Sequence, residues 1–213
     1  MSKNSVSKSV IRRLPRYYRF LGELSEQGTE RISSRELSEK MGLTASQIRQ
    51  DFNCFGGFGQ QGYGYNVSEL REKVGEILGV NSESSTILIG AGNLGRAIAA
   101  HMDFDSKGFS LIGIFDINPE LIGISIGDLC VTSVSELEQF CAENKPVAAV
   151  LCIPEDAAEE IAIRLESYGI KAFWNFSHYD IRLMHSDAIV ENVHLGDSLM
   201  TLSFGLNSLN NAD

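Results

Sequence analysis

Two stretches of this sequence carry residue types at spacings that do recognisable chemistry. The first is Gly90-Ala91-Gly92-Asn93-Leu94-Gly95, entered directly from the apolar run Thr86-Ile-Leu-Ile89. In a strand, loop and helix of this kind, the first glycine permits a tight turn and the second lets backbone approach a pyrophosphate. The third allows helix and strand to pack closely, and the N–H groups of the first helical turn face the anion. A second apolar run, Phe109 to Phe115, ends at Asp116, 21 residues beyond Gly95. There a carboxylate meets adenosine ribose hydroxyls, with Ile117 beside it. No Lys or Arg occurs between Gly108 and Lys145 to receive a 2′-phosphate, so NADH or NAD+ is expected rather than the phosphorylated cofactor.

The second stretch is Thr44-Ala-Ser-Gln-Ile-Arg-Gln-Asp51. Read as the start of a helix running through about Phe55, it buries Ile48, Phe52 and Phe55 and turns Ser46, Arg49 and Gln50 outward. An arginine bonds guanine O6 and N7 in bidentate fashion, and a glutamine does the same for adenine N6 and N7. The bland alternative for Arg49 is a surface ion pair with Asp51 or another neighbour.

The elements around that helix support the nucleic-acid reading. Leu14, Tyr17 or Tyr18, Leu21 and Leu24 recur at helical spacing up to Gly28, and Pro15 is expected near the start of this helix or at a kink. Ser33 followed by Glu36 is a capping box opening a short helix that Gly42 stops, and Thr44 followed by Gln47 repeats the pattern. Two short helices joined by the turn at Met41 to Leu43 make a helix-turn-helix, whose second helix enters the major groove. Gly56 to Gly64 holds five glycines and interleaved aromatics, Tyr63 among them, and reads as a hairpin wing with Gln60 and Gln61 at its tip, or else as a flexible linker. Val67 to Leu78 is a further amphipathic helix, and Asn81 to Ser85 is the linker.

Beyond the glycine loop the pattern alternates. A helix from Arg96 to about His101 is expected, then strands at 129–132, 147–153, 172–176 and 189–193, with helices at 135–143, 156–168 and from Asp197. Such alternation implies an open, mainly parallel, doubly wound Rossmann-like sheet. Pro154, Asn175 and Phe176 then fall at the carboxyl edge where ligands bind, although turn formation and core packing explain Pro154 and Phe176 equally well. The chain is thus α/β, with a winged-helix domain at 1–80, a dinucleotide-binding domain at 81–195 and a C-terminal helix at 196–213. No catalytic constellation emerges, since none of His101, His178, His185 and His194 has a local acidic partner in a recognisable arrangement. A regulator is expected, the rival being a small NAD-dependent oxidoreductase with a fused helical domain.

Composition agrees with two modules of different task. The 213 residues carry a net charge of −10, yet residues 1–80 hold 12 Lys+Arg against 9 Asp+Glu while the rest hold 6 against 19. Lys3, Lys8, Arg12, Arg13, Arg16 and Arg19 precede the first acidic residue, so a basic arm that meets a polyanion is joined to an acidic body that repels one. No run approaches a membrane span and no signal peptide opens the chain, so a cytoplasmic protein is expected. Cys54, Cys130, Cys141 and Cys152 lie far apart and suit neither a metal nor a disulfide framework; they read as reduced, mostly buried thiols.

Six segments together resemble one family: Tyr18-Arg-Phe-Leu21, Thr44 to Asp51, Phe55-Gly-Gly-Phe-Gly-Gln-Gln-Gly-Tyr-Gly-Tyr65, Gly90 to Gly95, Phe115-Asp-Ile-Asn-Pro119 and Gly169-Ile-Lys-Ala-Phe-Trp-Asn-Phe176. From about Ser7 to Leu209 the chain is similar to the bacterial redox-sensing repressors called Rex. The resemblance implies a homodimer that binds an inverted-repeat operator when NADH is low and releases it when NADH binds. It matches Arg49 and Gln50 to the family's base-reading pair, Gln61 to the wing tip that enters the minor groove, and Arg19 to an arginine that couples the DNA and cofactor modules. Members often carry Lys or Arg at the positions of Gln50 and Gln61. His101 stands where Tyr is common and His194 where Asp is common, which places both in the switch. The C-terminal helix, with Leu199, Leu202, Leu206 and Leu209 as an apolar stripe, matches the helix that family members exchange between subunits.

Overall fold

A computed structural model describes residues 6–56, 63–184 and 187–210. Its contacts divide the chain into two compact units, Met1–Asn81 and Ser82–Asp213. In the first unit, α1 (Lys8–Glu26) leads to β1 (Arg31–Ile32), α2 (Ser34–Met41) and α3 (Ala45–Asn53), and then to β2 (Tyr65–Asn66) and α4 (Val67–Leu78). Each helix begins at a side chain that accepts a backbone N–H: Ser7 for α1, Ser33 for α2, Thr44 for α3 and Asn66 for α4. Ser33 and Glu36 complete the expected box, at 3.1 and 2.8 Å. The second box is only half formed, because the Gln47 amide turns to Asp51 at 2.8 Å instead of returning to the Thr44 backbone.

Two further expectations need correction. The first helix starts well before Pro15, which lies inside α1. A helix-interior proline costs roughly 3 kcal/mol. The buried stripe of Val10, Leu14, Tyr17, Leu21 and Leu24 offsets it, at about 1.5 to 3 kcal/mol for each large apolar side chain. The third helix ends at Asn53, so Phe55 only packs half-buried at the edge of a core formed by Ile48, Phe52, Leu37, Met41 and the α1 stripe. Gln60 and Gln61 lie outside the described residues. Chain that leaves the glycine-rich segment does enter a strand: β2 pairs antiparallel with β1, Tyr65 opposite Ile32.

In the second unit β3 (Ser84–Ile89) begins two residues earlier than the apolar run suggests, so the linker is shorter than 81–85. Then come α5 (Asn93–His101), β4 (Phe109–Asp116), β5 (Ser125–Ile126), β6 (Leu129–Ser133) and α6 (Leu137–Asn144). The chain continues through β7 (Ala148–Leu151), α7 (Glu155–Ser167), β8 (Ala172–Asn175), α8 (Ile181–Met184), β9 (Ile189–Asn192) and α9 (Leu195–Asn210). The sheet order is β5-β6-β4-β3-β7-β8-β9, parallel except for the edge strand β5. Successive crossovers leave β3 in one direction and β7 in the other, which opens a crevice beyond their carboxyl ends.

Alternation along the strands divides the core into two faces. Ile87, Ile89, Phe115, Leu151 and Phe173 pack under α6 and α7, whereas Leu88, Ile114 and Val150 pack with Ile98 of α5 and with Phe104. On that second face the apolar surface continues across β7, β8 and β9 as a cavity of about 480 Å³, lined by Thr86, Phe104, Val150, Trp174, Ile189 and Glu191 among others. The helix α9 leaves its large apolar residues in solvent: Leu195, Leu199, Met200, Leu202, Phe204, Leu206 and Leu209 are all more than half exposed.

The thiols also differ from expectation. Cys54 and Cys130 are exposed, Cys152 is half-buried and Cys141 is buried. Burial pushes the Cys152 thiol up to about 12, so it stays protonated and inert at neutral pH. Among the described residues no group of three or more His, Cys, Asp and Glu could hold a metal ion, and no helix is long and apolar enough to cross a membrane.

Candidate functional site

The outward side of α3 presents Ser46, Arg49 and Gln50, all exposed. Arg49 does not pair with Asp51. Its Nη1 donates to Ser34 Oγ at 3.0 Å, which links the third helix to the first residue of α2. Asp51 faces the opposite way and is fully buried; Arg13 grips it through Nε and Nη2, both at 2.7 Å, and Tyr17 and Gln47 donate to it at 2.8 Å. Burial pushes the Asp51 carboxyl up, but these donors outweigh it and hold it below the ordinary carboxylate range. Burial and the bond to this carboxylate together push the Tyr17 phenol up.

The basic arm is therefore less free than its composition suggests. Arg13 is spent on Asp51, and Arg16 donates to the Met41 carbonyl at 2.5 Å, closing α1 onto the turn between α2 and α3. Arg12 and Arg19 are exposed. With Lys8 and Arg16 they fall at spacings of four, four and three along α1, which places four cations on one side of the helix, away from its buried stripe. Tyr63 is 72% exposed.

The glycine loop meets the steric demands of a dinucleotide cradle. Gly90 sits at φ +97°, and a Cβ there would lie 2.4 Å from the Cys152 carbonyl oxygen. At Gly95 a Cβ would lie 1.8 Å from the Gly90 carbonyl oxygen, so only glycine lets α5 sit this close to β3. Gly92 has nothing within 4 Å of the same position; its face of the loop is open. The α5 helix begins at Asn93 rather than Arg96, with Gly92 at its N-cap, no side-chain cap and no acidic residue in its first turn. Its first N–H groups are thus left for an external anion, whereas α1 to α4 are all capped by their own side chains.

Asp116, at the end of β4, does more than wait for a ligand. Its Oδ2 accepts the Ala91 N–H at 2.5 Å and its Oδ1 the Asn118 N–H at 2.8 Å, so it holds the glycine loop in shape. A carboxylate offers about four lone-pair sites, and two remain for hydroxyl donors. Ile117 beside it is 79% exposed and Leu94 40%, apolar surfaces suited to a flat ring. Pro154 caps α7 at the carboxyl end of β7, next to half-buried Cys152 and Ile153. These features fit NAD(H): a pyrophosphate at Gly92 and the α5 N-terminus, and a free ribose diol at Asp116.

Other switch candidates are not gathered in one place. His101 is the exposed last residue of α5, at the far end from the glycine loop, and its side chain has no hydrogen bond, ion pair or ring contact among the described residues. His194 follows β9 and stacks on His178, rings 5.5 Å apart and within 6° of parallel, and its Nδ1 is buried without a partner. That pairing joins residues 16 apart in sequence and carries no sequence signal. Asn175 at the end of β8 is likewise missed as a hub: its amide donates to the Tyr179 carbonyl and to Asn192 Oδ1, and its own Oδ1 receives the Ser177 backbone and hydroxyl. His185 lies outside the described residues.

A helix-turn-helix unit with an arginine-bearing second helix, followed by a nucleotide-binding doubly wound sheet, defines a ligand-responsive DNA-binding regulator. The comparisons with known proteins name the family. Residues 5–53 match the family described as "Putative DNA-binding protein N-terminus", and residues 81–179 match "CoA binding domain". A Redox-sensing transcriptional repressor Rex from Thermoanaerobacter pseudethanolicus (strain ATCC 33223 / 39E) is 58% identical over 205 residues, covering 96% of this chain and 91% of the relative. One from Clostridium perfringens (strain SM101 / Type A) is 51% identical over 205 residues, covering 96% of each chain. Among solved structures, RSP in complex with beta-NAD+ and operator DNA is similar at a TM-score of 0.90 and 57% identity, over 96% of this chain and 94% of that one. RSP in complex with beta-NADH gives 0.88 and 54%, over 97% of each. This chain belongs to the Rex family of redox-sensing transcriptional repressors.

Proposed function

We propose that this chain is a homodimeric, cytoplasmic repressor without enzymatic activity, which binds an inverted-repeat operator through α3 and releases it when NADH occupies the second unit. The observation that carries the cofactor half is the uncapped α5 N-terminus facing the open side of Gly92, with Asp116 buttressing the same loop. Gly90 to Gly95, Asp116, Ile117 and Pro154 bind the cofactor. Ser46, Arg49 and Gln50 read bases, while Arg12, Tyr63 and Gln61 contact the flanking backbone and minor groove. Arg19, His101 and His194 act in the switch. The three parts are 1–80, 81–195 and 196–213.

Asp116 decides between cofactors of this general shape. A carboxylate that bonds a free ribose diol repels a phosphate on either hydroxyl, which disfavours both NADPH and the 3′-phosphorylated ribose of coenzyme A. Asp116→Asn keeps one acceptor and removes the charge. NADH affinity is expected to fall roughly tenfold, the worth of one charge-assisted hydrogen bond, while NADPH affinity holds or rises. Equal losses for both cofactors in a fluorescence titration would reduce Asp116 to a support for the loop.

Regulation requires that the two ligands oppose each other. The oxidised nicotinamide ring carries a positive charge and the reduced ring is neutral, so half-buried apolar surface such as that of Cys152 and Ile153 disfavours the oxidised form. By linkage, operator must weaken NADH binding by the same factor as NADH weakens operator binding, typically 5- to 150-fold for a coupling of about 1 to 3 kcal/mol. NADH affinity measured with and without saturating operator is expected to differ by that factor. Identical affinities would remove the redox switch, even for a protein that binds both ligands.

A further inference from the structure

We infer that Asp51 is a positioning residue for base reading: buried between α1 and α3, it fixes the roll of the reading helix so that Arg49 and Gln50 meet base edges in register. The inference rests on the assignment of α3 as the reading helix. Nothing in the family comparison or in the sequence motif assigns Asp51 such a task, and its position immediately after Gln50 suggests at first sight a surface partner for Arg49.

Asp51 is 0% exposed, the most enclosed charged side chain of the described residues. Each of its two oxygens receives two donors: Oδ2 takes Arg13 Nε at 2.7 Å and the Tyr17 hydroxyl at 2.8 Å, and Oδ1 takes Arg13 Nη2 at 2.7 Å and Gln47 Nε2 at 2.8 Å. Its acceptor capacity is therefore filled. The four donor atoms come from three residues, Arg13 and Tyr17 one turn apart on α1 and Gln47 on α3 itself, so the carboxylate pins one helix to the other along both directions of its plane.

The donors outweigh desolvation of the carboxylate, so the pair with half-buried Arg13 stabilises the fold, but a well-packed apolar set of similar volume often stabilises as much or more, and stability alone does not call for a carboxylate here. The apolar contacts of α3 are already present in Ile48 and Phe52, whose ring lies 4.9 Å from Tyr17 and 5.3 Å from Tyr65. Such contacts tolerate small rotations of a helix about its axis. Four directional hydrogen bonds do not. Bidentate recognition of a base needs that rotation held, since the guanidinium plane must coincide with the base plane. The same network withdraws Gln47 and Arg13 from the DNA, leaving Ser46, Arg49 and Gln50 as the reading surface, with Arg49 steadied from α2 by Ser34.

The test separates positioning from mere folding by comparing two DNA ligands on the full-length protein. Asp51→Asn offers one acceptor oxygen to four donors and turns an NH2 group against Arg13. Affinity for an inverted-repeat operator is expected to fall at least tenfold, while affinity for random duplex at low salt, carried by phosphate contacts, stays within twofold or rises. A loss of folded protein would lower both alike, and parallel losses, or an unchanged operator to random ratio, overturn the inference. Should Asp51→Asn fail to fold, Tyr17→Phe decides: it keeps the ring against Phe52 and removes one donor. A threefold drop in the ratio supports the inference and no drop refutes it. Arg49→Ala, run in parallel, tests the underlying assignment. If it leaves the operator affinity unchanged, α3 is not the reading helix and this inference falls with that reading. If it lowers operator affinity while Asp51→Asn leaves the ratio intact, the reading stands and the positioning role alone fails.

Discussion

Replacing Gly95 by alanine is expected to weaken NADH binding by at least about 100-fold, the scale on which a misplacement of about 1 Å disables a positioned site. The added Cβ would lie 1.8 Å from the Gly90 carbonyl oxygen and 3.2 Å from the Leu88 side chain. Backbone is the nearer obstacle, so no side-chain rotation relieves it. The first turn of α5 must then move away from β3 by more than an ångström, which carries the uncapped N–H groups of Asn93 and Leu94 off the pyrophosphate position. Overpacking of this kind costs about 1 to 3 kcal/mol of stability, which a unit with a packed core on both faces of its sheet survives. The outcome at the operator is the informative part. The first unit folds on its own core of α1 to α4, so operator binding should persist and no longer respond to NADH, giving a repressor that is permanently on. A fluorescence titration showing NADH affinity within threefold of the parent would mean that the loop does not cradle the cofactor.

The features that were legible in the sequence are the ones whose causes are local. Ser33 with Glu36, Gly42, the glycine loop and the strand ending at Asp116 each state a backbone requirement within a few residues, and each lies where that requirement predicts. Boundaries failed where a tertiary contact outbid a local preference. Pro15 reads as a helix edge, but the stripe from Val10 to Leu24 carries α1 through it. Gln47 reads as half of a capping box, but buried Asp51 offers its amide a stronger acceptor. The short β5 strand, the pairing of β1 with β2 and the stacking of His178 on His194 have no periodicity to announce them, since each depends on residues brought together by the rest of the chain. The partner of Asp51 is hidden for the same reason: sequence proximity offers Arg49 only as a bland alternative to base reading, and Arg13, 38 residues away, is the residue that pairs with it.

Removal of residues 197–213 is expected to abolish the proposed dimer and with it tight operator binding. The reason lies in the faces of α9. Leu195, Leu199, Leu202, Leu206 and Leu209 recur at spacings of four, three, four and three, one continuous stripe, while Met200 and Phe204 lie near the opposite side. All seven are exposed within the chain, Phe204 by 75%. A helix apolar on two sides cannot be satisfied by one surface, so it is built to lie between two. Within the same unit the face of the sheet across β7, β8 and β9 is an apolar cavity of about 480 Å³. Exposed apolar helix and open apolar groove on one chain are complementary on two copies, which is the condition for a closed two-fold assembly. At about 1.5 to 3 kcal/mol for each large apolar side chain buried, seven contribute roughly 10 to 20 kcal/mol per helix, enough to exceed an association cost of about 4 to 15 kcal/mol. A dimer also presents two reading helices to two half-sites, and linking two binding events in this way raises affinity by about 10² to 10⁴ without any new contact. Light scattering of the truncated protein should therefore give the monomer mass. Its affinity for a full inverted repeat should fall at least about 100-fold, toward that for a single half-site. NADH should still bind through Gly90 to Gly95 and Asp116, with reduced affinity. Trp174, the single tryptophan of the chain and part of the groove lining, provides a second readout: its emission should shift to the red as the groove becomes wet. A truncated protein that remains dimeric, or that binds the full operator as tightly as the parent, would mean that α9 is not the dimer-forming element.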